Sequence, residues 1–191
     1  MILYVCIIVG CILLFAALNA LVFDWSFLAG VGWTSGAVIA VILVDAIVAS
    51  ACRLSPAKWY NHNSKIYTVG RKEKNFYEKL KIRKWKDKIP EIGHFTGFRK
   101  NKLDDPTSVE YVERFLLESC YGEAGHLLSC LLGFVIMIPF PFLPRGWWLI
   151  SLLVGIVNVL MNLPSLFVLR YNSYKLEILY KRNLKRQMQT A

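Results

Sequence analysis

Glu118, Glu123 and His126 lie close together in the stretch Ser108–Leu132, SVEYVERFLLESCYGEAGHLLSCLL. On a helix, at ~100° per residue, Glu123 and His126 project about 140° and 80° round from Glu118. The imidazole then sits between two carboxylates on one side of the helix. A carboxylate beside a histidine fixes its tautomer and raises its basicity, which suits a general base. The plainer alternative is a polar helix end facing lipid headgroups. Glu123-x-x-His126 also matches half of a di-iron carboxylate site, but no second Glu-x-x-His exists in the chain. His62 and His94 lack neighbours at ligand spacing, so neither a metal nor a bound cofactor is expected. Cys120 lies six residues before His126, which puts the two about 120° apart on a helix. That geometry argues against a Cys–His nucleophile, and an inert thiol is the default.

The second informative stretch is Asn75–Lys88, NFYEKLKIRKWKDK. Phe76, Tyr77, Leu80, Ile82 and Trp85 recur roughly at helical spacing with basic residues between, which predicts a basic amphipathic helix. Such a helix lies on an anionic membrane surface. A sharper reading has Arg83, Lys84 and Lys86 bind a phosphorylated or acidic substrate. Pro90 ends this helix, and Gly93 and Gly97 allow a loop. Asp105-Pro106-Thr107 is a start signal for the helix that carries Glu118, Glu123 and His126.

Four apolar blocks must position these groups. Met1–Phe23 has no charged side chain and no basic start of the kind a secretory signal needs, so it reads as a retained span. A polar turn at 24–26 leads to a second span, Phe27–Cys52, whose one charge is Asp45. Leu127–Phe142 is short and carries Pro139 and Pro141, so it either spans or re-enters. Trp147–Leu169 is the fourth, with Asn158 and Asn162 on one face and Pro164 set to kink it just beyond. Asp45 in a span must be protonated, be paired with an Asn or a base, or line a polar cavity.

Between these blocks, residues 53–125 hold 16 Lys/Arg against 10 Asp/Glu, and residues 170–191 hold six against one. The turn at 144–146 holds one basic residue. The positive-inside rule places residues 53–125, the tail and both termini in the cytoplasm, with Trp147 and Trp148 at the outer interface. The domain reading is therefore 1–52, two spans; 53–125, a basic cytoplasmic region; 126–169, two further spans; and 170–191, a basic tail. The fold class is an all-α integral membrane protein of about four transmembrane helices, in the cell membrane. A chain 55% hydrophobic with a formal charge of +10 excludes a disordered or soluble protein once its blocks segregate in this way. Five cysteines without a CxxC exclude a disulfide scaffold and a zinc ribbon. Basic residues interleaved in a membrane-surface pattern argue against nucleic acid.

Lys84-Trp85-Lys86-Asp87-Lys88-Ile89-Pro90, then Glu118-x-x-x-x-Glu123-x-x-His126, then Asn162-Leu163-Pro164, then Arg170-Tyr171-Asn172 form an ordered set. In that order and separation they resemble the glycosyl-4,4'-diaponeurosporenoate acyltransferase family over roughly residues 70–182. Tyr121, where the family pattern has Arg, and Ser173-Tyr174-Lys175, where it tends to Arg-Pro-Arg, depart from it. The resemblance implies a small membrane enzyme that moves a fatty acyl group to a hydroxyl of a glycosylated lipid or carotenoid-like acceptor. It implies an acyl-CoA or acyl carrier protein as donor, the latter an acidic partner. It further implies roles for His126 as base, for Glu118 or Glu123 in orienting it, and for Arg83, Lys84, Lys86 and Arg170 on anionic parts of the donor. Asn162 and Asn172 are oxyanion donors in this reading, and Trp85, Asp87 and Tyr171 line the substrate site. No nucleophilic Ser or Cys is evident, which favours direct transfer. The rival is a non-catalytic scaffold whose basic loop grips anionic lipid or an acidic partner.

Overall fold

The computed structural model describes residues 2–89 and 103–190; Pro90, Gly93, His94 and Gly97 lie outside the described residues. Six α-helices and several short 3-10 turns make up the structure, and no strand occurs among the described residues. They are α1 (Ile2–Phe23), α2 (Phe27–Leu54), α3 (Arg71–Lys79), α4 (Ile82–Trp85), α5 (Val109–Leu132) and α6 (Trp147–Thr190). Four of them, α1, α2, α5 and α6, are long and apolar enough to cross a membrane. Leu21 and Leu28 stand 81% and 79% exposed on these helices, a surface that lipid rather than water accommodates.

Local chemistry sets the helix ends. Asp24 takes a left-handed backbone (φ 55°) just past α1, a conformation that short polar side chains tolerate. The Ala29 amide donates to Ser26 Oγ at 3.2 Å, capping α2. Before α5, the Thr107 and Ser108 amides and the Thr107 hydroxyl donate to Asp105 Oδ1, and the Tyr111 amide donates to Ser108 Oγ. The hydrogen bond from the Thr107 hydroxyl, then those from the two amides, hold the Asp105 carboxyl below its ordinary range. The start signal read at 105–107 therefore works as expected, one turn upstream of the cap.

The chain forms two compact units. The first comprises Met1–Val48 and Leu127–Asn162. Its core is Phe15, Ala37, Val41, Ile136, Trp147, Ile150 and Val154. Trp147 is buried here, its indole N–H donating to the Ile136 carbonyl at 2.9 Å and its ring edge-on to Trp33. The 3-10 segment Gly133–Met137 frees the carbonyl that this indole satisfies. Asp45 is paired: Asn158 Nδ2 donates to its Oδ1 at 3.3 Å and Asn162 Nδ2 to its Oδ2 at 3.2 Å. Asn158 also donates to the Ser129 carbonyl at 3.0 Å. Gly133 makes this possible, since a Cβ there would come within 2.4 Å of Asn158 Nδ2.

The second unit comprises Ala49–His126 and Leu163–Ala191. Val69, Tyr77, Ile82 and Tyr171 form one core, against which Trp85, Phe167 and Tyr174 pack. Val112, Phe115, Leu116 and Leu176 form another. The basic stretch 75–88 is not one helix. It breaks at Lys81, which is left-handed (φ 54°), into α3, α4 and a 3-10 turn at Lys86–Lys88. A left-handed non-glycine residue costs roughly 1–2 kcal/mol. The break lets Ile82 bury completely, and the Trp85 indole closes the corner on the Leu80 carbonyl at 3.0 Å. Phe76 and Leu80 stay exposed instead of joining Tyr77 on one apolar face. Pro164 lies inside α6 without ending it, and the helix runs unbroken past Arg170.

Candidate active site

The polar interior of the second unit is organised around Arg170. Its Nε and Nη2 donate to the two oxygens of Glu73 at 2.5 and 3.0 Å, a bidentate fork. Its Nη1 donates to Glu123 Oε2 and to the Ile66 carbonyl, both at 2.9 Å. Four of the five guanidinium N–H groups are thereby committed. The second Glu123 oxygen accepts from the Ser173 hydroxyl at 2.7 Å, and Glu73 also accepts from the Tyr77 hydroxyl at 2.6 Å. Glu123 is 3% and Arg170 18% exposed at the side chain, so the pairing compensates a desolvated carboxylate.

Titration follows from this arrangement. Burial works against a charge on Glu73, but hydrogen bonds from Arg170 and Tyr77 outweigh it and hold the carboxyl below its ordinary range. Burial, and then hydrogen bonding to the Glu73 carboxylate, push the Tyr77 phenol well above its ordinary value. Tyr67 is pushed up to about 12, chiefly by burial and then by its neighbours Cys120, Tyr60 and Glu123.

Arg170 is therefore an internal clamp between α3, α5 and α6 rather than an open receptor for a donor phosphate, because its donors are already used. Asn162 is likewise spoken for. Its amide nitrogen serves Asp45, the Asn158 carbonyl and the Asn158 side chain, all in the first unit. Asn172 is half-buried in the second unit. Glu118 accepts from Arg53 at 3.0 Å and from Arg114 at 2.8 Å. His126 itself is half-buried near the end of that unit.

A carboxylate–imidazole pair does occur, on a different histidine. His62 Nδ1 hydrogen-bonds Glu177 Oε1, and the edge of the Tyr180 ring packs on the imidazole at 5.3 Å. Neither His62 nor Glu177 stands near its partner in sequence, so spacing gave no sign of it. Glu73 and Ser173 were invisible for the same reason.

The basic corner is the accessible part of the unit. Arg83 donates to the buried Tyr171 hydroxyl at 2.7 Å and to Glu78 at 3.2 Å, while most of its side chain stays exposed. Hydrogen bonding to Tyr171 leads the influences that raise its already high pKa, so it stays charged. Glu78, Lys81, Ile82, Arg83 and Lys84 line a shallow cavity of about 260 Å³. Lys84 and Asp87 are exposed, whereas Trp85 and Lys86 are half-buried.

Comparison with known proteins bears directly on this unit. The family described as glycosyl-4,4'-diaponeurosporenoate acyltransferase matches residues 56–182, about two thirds of the chain. The chain belongs to this family. It is an acyltransferase by that membership. The match covers His62, Glu73, Glu118, Glu123, His126, Arg170, Ser173 and Glu177, and it begins after α2. Within this acyltransferase, the clamp and the His62 pair thus fall in the shared region, while Asp45 falls outside it. No curated protein and no solved structure matches the chain.

Proposed function

We propose that the protein transfers a fatty acyl group from a thioester donor to a hydroxyl of a glycosylated, carotenoid-like lipid. The observation that carries this reading is the family match over 56–182, on a chain whose four long helices have exposed apolar surfaces suited to lipid. Acceptor and acyl chain are both lipid-soluble, so a site in the second unit, fed from the bilayer, suits them. The donor is acyl-CoA or an acidic acyl carrier protein, steered by Lys81, Arg83, Lys84 and Lys86 around the shallow cavity. A histidine of the unit takes the acceptor's proton. The excess of basic residues in 53–125 and 170–191 supports a cytoplasmic site in the cell membrane.

Mass spectrometry of polar lipids from cells with and without the protein tests the reading. An acylated glycolipid that appears only with the protein supports it, and identical lipid profiles overturn it. Thiol labelling from the cytoplasmic side at cysteines placed at 65 and 185 tests the topology, and labelling from outside reverses it.

The donor site has a separate signature. Lys84→Gln with Lys86→Gln should raise the donor KM more than it lowers kcat, because these charges hold ground and transition states alike. The effect should shrink as salt rises. An unchanged KM at low ionic strength would leave the corner a membrane anchor only.

A further inference from the structure

We propose that His62, held by Glu177, is the general base of this acyl transfer; the inference rests on the acyltransferase reading above. His62 is buried, its side chain 10% exposed and that of Glu177 14%. Its two ring nitrogens have different surroundings. Nδ1 faces inward and donates to the Glu177 carboxylate. Nε2 faces Asn63, an exposed residue whose amide nitrogen lies 3.4 Å away. That amide nitrogen can only donate, so the lone pair of the ring is on Nε2, the nitrogen away from Glu177. A base needs this tautomer: proton toward a carboxylate, lone pair on the other nitrogen.

The pair is held on both sides. Lys181 Nζ lies 3.4 Å from the other Glu177 oxygen, within ion-pair reach though beyond a hydrogen bond. The edge of Tyr180 sets the plane of the ring. The Thr68 hydroxyl donates to the Ser64 carbonyl at 2.9 Å and lies 3.3 Å from the His62 carbonyl.

The step balances with a thioester as co-reactant. His62 Nε2 takes the proton of the acceptor hydroxyl as its oxygen bonds to the thioester carbonyl carbon. The tetrahedral intermediate collapses with cleavage of the carbon–sulfur bond. The imidazolium returns the proton to the departing thiolate, so ester and thiol leave and the ring is restored. Glu177 is a positioning residue in this scheme.

The test uses the full chain in nanodiscs with palmitoyl-coenzyme A and an alkyl glucoside, read by ester formed and thiol released. His62→Gln should lower turnover by about 10²–10⁴-fold with little change in donor KM. A second measurement stands apart from activity: diethyl pyrocarbonate modification of each histidine, mapped by mass spectrometry. Glu177→Gln should slow labelling of His62 several-fold, whereas mere loosening of the fold would speed it. His62→Gln at near wild-type rate, with His126→Gln inactive, overturns the assignment and leaves the acyltransferase reading intact. No transfer by the wild type to the glucoside counts against that functional reading instead. The labelling then decides the pair: a His62 that labels equally fast, or faster, without Glu177 overturns it.

Discussion

Arg170→Leu should be the most damaging single substitution in the second unit. It leaves Glu73 and the nearly inaccessible Glu123 facing each other with no cation between them. Removing one partner of a buried ion pair typically costs about 3–5 kcal/mol. Arg170→Lys should recover only part of this, since an ammonium cannot reproduce the fork on Glu73 while also reaching Glu123 and Ile66. Arg170→Leu combined with Glu73→Gln and Glu123→Gln should recover more, because replacing a whole buried network is cheaper than breaking it. The readout is thermal unfolding in detergent. The pH dependence has a definite sign. Glu73 is held below its ordinary range in the folded protein, so its contribution is fully present above about pH 4–5 and is lost as pH falls through the lowered value. In Arg170→Leu the unpaired carboxylates gain by taking up protons, so the gap to wild type should narrow on acidification. A variant as stable as wild type at neutral pH, or a gap that widens in acid, would remove the clamp from this account.

Asn158→Leu with Asn162→Leu should be the most damaging change in the first unit. Both amides donate to Asp45, which sits in the apolar helix α2. Without them the carboxylate must stay charged in a span, at a cost of roughly 2.5–3.5 kcal/mol, or take up a proton. Adding Asp45→Leu to the pair should restore most of the loss, which separates an orphaned carboxylate from simple overpacking of leucine. Refolding yield and thermal stability in detergent report it. If the double variant matches wild type, or if Asp45→Leu makes it worse, the three residues are not a unit.

The long helices were legible because apolar runs long enough to cross a bilayer have few other fates. Asp45 was legible up to a choice: its partners were expected among asparagines, bases or a cavity, and Asn158 and Asn162 provide the answer. The break at Lys81 was not legible. The apolar residues of 75–88 fit a helical period, and no glycine or proline marks the left-handed turn that buries Ile82. At the site, helical spacing brought Glu118, Glu123 and His126 into view but said nothing of their partners. Glu73 meets Arg170 across 97 residues and His62 meets Glu177 across 115. Spacing arguments reach only i±3 and i±4. The arginines that neutralise the two glutamates therefore looked like donor-binding charges or solvated ones, and the histidine with a carboxylate looked solitary.

The guanidinium at the centre of the clamp is also late in the order of synthesis. Arg170 follows Glu123 by 47 residues. At about 5–20 residues per second, roughly 2–10 s separate the two during translation. For that interval α5 carries an acidic group with no countercharge, and it can settle only once α6 has arrived. A chain that stalls before α6 thus keeps its Glu123 carboxylate without the guanidinium that pairs it in the finished protein.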